Sequence, residues 1–112
     1  MFKSFKYAFK GLKVLLLEEA NFRLEIAATA AVLAFAVYND FSYVELAWVV
    51  LAAVLVLVAE VINSLIERIL NMIEPGYNPL VGKFKDISAA IVLIHVVGAC
   101  AIGILVLLNH FG

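Results

Sequence analysis

The sequence has 112 residues, 66% of them hydrophobic and 15% charged, with a formal net charge of −1. Soluble domains are nearer half apolar, and here the excess lies in long runs, which excludes an ordinary water-soluble domain and puts the chain in the membrane class. One cysteine, Cys100, excludes an internal disulfide and, with no ligand-type partner nearby, reads as a packing residue.

Phe2, Phe5, Phe9, Leu12 and Leu16 share one helical face, and Lys3, Lys6, Lys10 and Lys13 share another. Residues 1–17 are therefore predicted to form an amphipathic helix on the bilayer surface, with Phe in the interface and Lys near headgroups. Lysines alternate with aromatics and no small-residue cleavage site follows an apolar core, so this is not a signal peptide. A polar stretch, Glu18–Glu25, leads into a first span over 24–38 that ends at Asn39-Asp40. The second span covers 44–70 and is long enough to emerge from the bilayer. Glu74-Pro-Gly-Tyr-Asn-Pro79 reads as a turn, since Pro-Gly and Asn-Pro both break helices. Leu80–Asp86 reads as a basic connector and 87–108 as the third span. His95, mid-span, reads as a packed neutral residue and His110, in the tail, as solvated. Trp48, Tyr38 and Tyr43 suit an interfacial aromatic belt. The predicted fold is an all-α integral membrane protein of one domain, a surface helix followed by three transmembrane helices.

Charge orients the chain. Every Lys and Arg lies in the N-terminal helix, at Arg23, at Arg68 or at Lys83 and Lys85, and the segment Tyr38–Glu45 has none. The positive-inside rule then puts the N-terminus and the second connector in the cytoplasm and the C-terminus outside. Glu19, Glu25, Glu60, Glu67, Lys85 and Asp86 gather at that cytoplasmic side.

Within the second span, Glu60, Asn63 and Glu67 fall on one helical stripe. A carboxylate in hydrocarbon costs at least about 2.5–3.5 kcal/mol, so such a stripe is a candidate site. Carboxylates, an Asn and a Lys without a Cys/His cluster suit a hard cation such as Mg²⁺, which takes one or two carboxylates plus substrate phosphates. Lys85 could neutralise a transferring phosphoryl group while a carboxylate accepts a proton from an attacking hydroxyl. No P-loop or kinase-type glycine-rich loop is present. Taken singly, the residues keep other readings. Glu60 could bond across a helix interface or line an ion path, Asn63 could be a helix–helix hydrogen bond, and Glu19 and Glu67 could lie on a solvated face. Lys85-Asp86 could be a helix-end pair, with Asp86 at the start of the third helix suiting its dipole.

Glu60-Val-Ile-Asn-Ser-Leu-Ile-Glu67, continued by Tyr77-Asn-Pro-Leu-Val-Gly-Lys-Phe-Lys-Asp86, resembles the prokaryotic diacylglycerol kinase family, which also includes undecaprenol kinases. Lys10-Gly11-Leu12, Glu19-x-x-Phe-Arg and the tail His110-Phe-Gly112 fit the same pattern, so the likeness covers the whole chain. It implies a homotrimer in the inner membrane, with active sites shared between protomers and no nucleic-acid partner. It also implies transfer of the ATP γ-phosphate to the primary hydroxyl of a membrane lipid. By position, Glu60 would be the general base and Glu19 and Glu67 would hold Mg²⁺. Asn63, Lys85 and Asp86 would organise the nucleotide, and Tyr7 and Glu25 would line the site. The family usually has Asp at the position of Asn71 and often His at that of Asn78, and often an Arg upstream of the point where this sequence begins. Nucleotide contacts from the connector and the N-terminus are expected to differ accordingly. Glu18-Glu-Ala-Asn-Phe-Arg and Asn78-Pro-Leu look like the undecaprenol branch, while Phe22-Arg-Leu-Glu25, Gly82 and the tail look like the diacylglycerol branch, which is the expected one. The rival classes are a small channel or transporter, disfavoured because no polar stripe continues through Ala52–Val58, and a structural scaffold.

Overall fold

A computed structural model describes residues 1–76 and 78–112. Four helices follow one another: α1 over Phe2–Glu18, α2 over Ala20–Tyr38, α3 over Tyr43–Ile73 and α4 over Pro79–Phe111. The last three are long and apolar enough to cross a membrane. The chain is thus an all-helical, multi-pass membrane protein.

The break between α1 and α2 is a single residue. Glu19 leaves helical geometry (φ −114°, ψ 104°), yet its N–H still reaches the Leu15 carbonyl at 3.0 Å and its own carbonyl accepts from Arg23 N–H at 3.2 Å. The polar stretch ahead of the first span is therefore helical from Ala20 onward, not a separate segment. α1 buries none of its side chains within the chain. Phe2, Phe5 and Phe9 are left exposed, as an interfacial helix requires.

The turn from α2 to α3 is a Schellman motif. Asp40 takes the left-handed conformation (φ 57°), which a short polar side chain tolerates. Its N–H bonds to the Val37 carbonyl at 3.1 Å, and the Phe41 N–H bonds to the Ala36 carbonyl at 3.0 Å. Phe41 and Ala36 then bury together with Val106 of α4, which supplies the apolar contact that accompanies this cap. α3 opens on a capping box, with Ser42 Oγ accepting from Glu45 N–H and Glu45 Oε1 accepting from Ser42 N–H.

α4 starts earlier than the periodicity predicts. Asn78 Oδ1 accepts from the Leu80 and Val81 N–H groups, and Pro79 occupies the first helical position. The segment read as a connector, 80–86, is therefore the first two turns of α4. Asp86 accordingly sits well inside the helix, and its reading as a dipole-compensating terminal residue is corrected. Of the predicted turn, Tyr77 lies outside the described residues.

α3 is the central element. It packs against α4 extensively and against α2 more lightly. At the end of the molecule where α3 begins and α4 finishes, Glu45 is buried at 6% exposure. Glu45 Oε2 accepts from Asn109 Nδ2 at 3.0 Å, and Oε1 lies 3.0 Å from His110 Nδ1. His110, expected to be solvated, is instead half-buried between this carboxylate and the Phe41 ring, whose centroid is 4.3 Å away. The reason is that α4 runs on to Phe111, far enough to bring its last turn back against the α3 N-terminus. His95 fits its packed reading, with Nδ1 2.7 Å from the Ile91 carbonyl.

Two substitutions separate the cap from the cross-helix clamp. Ser42→Ala should cost about 1 kcal/mol, the usual worth of an N-cap. Glu45→Ala should lower the thermal unfolding midpoint in detergent by more, because it also frees Asn109 and His110. Equal losses for the two variants would show that the bonds to α4 contribute nothing.

Candidate functional site

A buried carboxylate in the apolar part of a span needs partners, and Glu60 is 7% exposed. Among the described residues it has one bond, from Asn21 Nδ2 of α2 to Glu60 Oε1 at 3.3 Å. One turn on, Asn63 Oδ1 accepts from the Ser88 hydroxyl of α4 at 2.8 Å, and Ser88 is 2% exposed. Further along the same face, Asn71 Oδ1 accepts from Lys85 Nζ at 2.8 Å. Positions 60, 63, 67 and 71 stand on one stripe of α3, where Glu60 meets α2 and Asn63 and Asn71 meet α4. Lys85 and Ser88 are three residues apart, so both reach α3 from one face of α4.

Glu19 joins from the helix break. Arg68 Nε and Nη2 both donate to Glu19 Oε1, at 2.9 and 2.7 Å, and Arg68 Nη1 lies 3.4 Å from Glu18 Oε1. Arg23 is turned elsewhere, onto the Leu16 carbonyl at 2.9 Å. The structure thus brings together Glu19, Glu60, Asn63 and Lys85 as a ladder of four cross-links to α3.

The other expected residues stand apart from that ladder. Glu67 and Asp86 are exposed, and neither has a hydrogen bond or ion pair among the described residues. Lys85 is bonded to Asn71, so the suggested Lys85–Asp86 pair is not formed. Glu25 lines an apolar groove of about 320 Å³ between α2, α3 and α4, beside Ala28, Ala52 and Val56. Tyr7 is 66% exposed on α1, with Lys10 Nζ 5.6 Å from its ring centre.

The sequence reading missed Asn21 and Ser88 as partners and took Asn71 and Arg68 only as a departure and a positive charge. Each had a weak signal. Asn21 lies four residues before Glu25, and Ser88 three after Lys85, so each is a polar residue on a face already marked as functional.

The donor set is oxygen only, which suits Mg²⁺. Among the described residues no three His, Cys, Asp or Glu side chains converge on one point. Glu19 Oε2 and both Glu67 oxygens carry no bond among the described residues, so each carboxylate has an oxygen to offer.

The sequence profile described as prokaryotic diacylglycerol kinase matches residues 6–107. A diacylglycerol kinase of Escherichia coli is 32% identical over 110 residues, covering 98% of this chain and 90% of that protein. One from Helicobacter pylori is 32% identical over 94 residues, 84% of this chain and 73% of that protein. One from Synechocystis is 27% identical over 101 residues, 89% of this chain and 58% of that protein.

The thin solvation of Glu60 gives a test independent of activity. Replacing a poorly compensated buried charge by an apolar residue of similar size is often neutral or stabilising. Glu60→Leu is expected to unfold at or above the wild-type temperature in detergent. A midpoint several degrees lower would make Glu60 a structural carboxylate.

Proposed function

The chain belongs to the prokaryotic diacylglycerol kinase family and is a membrane lipid kinase, a phosphotransferase with an alcohol acceptor; we propose that its acceptor is diacylglycerol, giving phosphatidic acid. The observation that carries the residue assignment is Glu60, a carboxylate buried in the span with a single long hydrogen bond among the described residues. A carboxylate kept in hydrocarbon and left so sparsely bonded retains lone pairs for a proton, as a general base requires.

In this reading Glu60 accepts the proton of the lipid's primary hydroxyl as that oxygen attacks the γ-phosphorus. The bond from the γ-phosphorus to the bridging oxygen breaks and ADP departs. Lys85 offers its ammonium to the phosphate oxygens, and the neutral Asn71 acceptor orients that ammonium without cancelling its charge. Asn63, pinned through Ser88, keeps its amide N–H groups available for the nucleotide. Glu19 and Glu67 would hold Mg²⁺, which when bound offsets the charge of the β- and γ-phosphates. Asp86, Glu25 and Tyr7 are read as further contacts to the nucleotide or the lining of its site.

We read the assembly as a homotrimer with active sites shared between protomers and the charged end in the cytoplasm. One feature supports this: the nucleotide-side groups Glu67 and Asp86 have no bonding partners within their own chain among the described residues, which leaves them for groups on a neighbour.

The decisive assay offers radiolabelled ATP with diacylglycerol and undecaprenol side by side. Diacylglycerol should be the better acceptor; faster labelling of undecaprenol would move the chain to the other branch. Glu60→Gln should keep its fold and lose at least about a hundredfold in kcat, the lower range of general-base contributions. Near-normal turnover in that variant would end the base assignment. Chelating divalent cations should abolish transfer, and Mg²⁺ alone should restore it; transfer that persists in a chelator would remove the metal from the scheme.

A further inference from the structure

Among the described residues, Arg68 is the one cation placed directly on a carboxylate read as a metal ligand. Two of its nitrogens converge on Glu19 Oε1, and the third reaches toward Glu18. The chain neighbour of Arg68 is Glu67, the other carboxylate of that reading. The guanidinium therefore stands where a divalent cation and the phosphates it carries would come. Glu19 is also the single non-helical residue between α1 and α2, so the contact fastens the helix break to α3.

From this arrangement we propose that Arg68 is a placeholder cation: it holds Glu19 in position while no metal is bound, and yields that carboxylate when the metal–nucleotide arrives. The released guanidinium then pairs with the polyphosphate. This rests on the reading of Glu19 as a metal ligand. A bare carboxylate next to Glu18 would be repelled and would sample other rotamers; Arg68 neutralises it and fixes its direction. The side chains are 44% exposed for Arg68 and 22% for Glu19. An ion pair so open to water contributes little, so it can be exchanged at small cost. Both donors fall on Oε1, which leaves Oε2 as the point of entry for the metal. Phosphate is the natural next partner, because the planar guanidinium forks onto its oxygens as it does onto a carboxylate. Arg68 is thus a nucleotide-binding residue in this scheme: it first readies the metal's ligand, then contacts the polyphosphate, and does not touch the reacting hydroxyl.

The test uses the full chain in detergent micelles, with Mn²⁺ as the probe and its binding followed by electron paramagnetic resonance without nucleotide. Removing the competitor in Arg68→Ala should tighten Mn²⁺ by about two- to fivefold, the range an exposed ion pair is worth. In the kinase assay the same variant should raise KM for the metal–ATP complex severalfold with kcat little changed, and Arg68→Lys should fall between the two. Mn²⁺ affinity that is unchanged or weaker in Arg68→Ala, or a KM that does not move, overturns the proposal. Glu19→Gln separates it from the reading beneath it. Wild-type Mn²⁺ affinity in Glu19→Gln removes Glu19 from the metal and Arg68's role with it. Lost affinity there, without any gain in Arg68→Ala, leaves the metal ligand standing and overturns the exchange alone.

Discussion

A carboxylate inside the hydrocarbon part of a span is the constraint from which the rest of this structure follows. Glu60 cannot face lipid without a cost of several kcal/mol, so α3 must be the inner helix and its polar stripe must be covered from two sides. α2 covers it through Asn21 and α4 through Ser88 and Lys85. The residues that flank the stripe are correspondingly small or apolar, with Ala52, Val56 and Ala59 buried along the same helix. α2 and α4 need only one such face each. Their remaining sides are left apolar, which is free of penalty in lipid.

α3 carries a second buried carboxylate, and the contrast between the two separates structure from chemistry. Glu45 accepts three bonds, from Ser42 N–H, Asn109 and His110, at 2.8–3.0 Å. Among the described residues Glu60 accepts one, at 3.3 Å. A saturated carboxylate at a helix start is a fastener: it fixes the register of α3 against the far end of α4. That register decides which α4 residues stand opposite Asn63 and Asn71 about 27–39 Å further along. The unsaturated carboxylate has lone pairs left over. In a chain whose charges are so few, that leftover capacity is what supports the role of base proposed for Glu60.

Much of this was legible in the sequence because membrane physics writes it in composition. Long apolar runs, the helical spacing of the phenylalanines and lysines, and the stripe Glu60–Asn63–Glu67 each imply an element or a face without any knowledge of packing. What stayed hidden depends on which neighbour a residue meets. Asn21 and Ser88 look like ordinary polar residues until α2 and α4 are docked. His110 looked like tail because α4 was expected to end at 108, and a Gly-terminated helix of 33 residues has no internal stop signal to read. The early start of α4 was masked by Lys83, Lys85 and Asp86, whose charges suggest a loop, although Asn78 and Pro79 together make a strong helix start.

Helix length supplies the last link between fold and reaction. α3 has 31 residues, about 46 Å of helix against roughly 30 Å of hydrocarbon. About 20 residues counted from its Val44 end reach the region of Ser64. Glu60 then lies about a turn inside the apolar layer, and Glu67, Arg68 and Asn71 lie beyond it, in contact with water. A lipid alcohol approaches from one phase and a nucleotide from the other, so a kinase joining them needs a rigid element that passes from hydrocarbon to water with polar groups on one side. The polar stripe of α3 is that element. Its ends are about 16 Å apart along the axis from Glu60 to Asn71, with a sparsely bonded carboxylate buried at the apolar end and cations and carboxylates exposed at the other. In the proposed reaction the overlong second span therefore serves the chemistry and is not a surplus of helix.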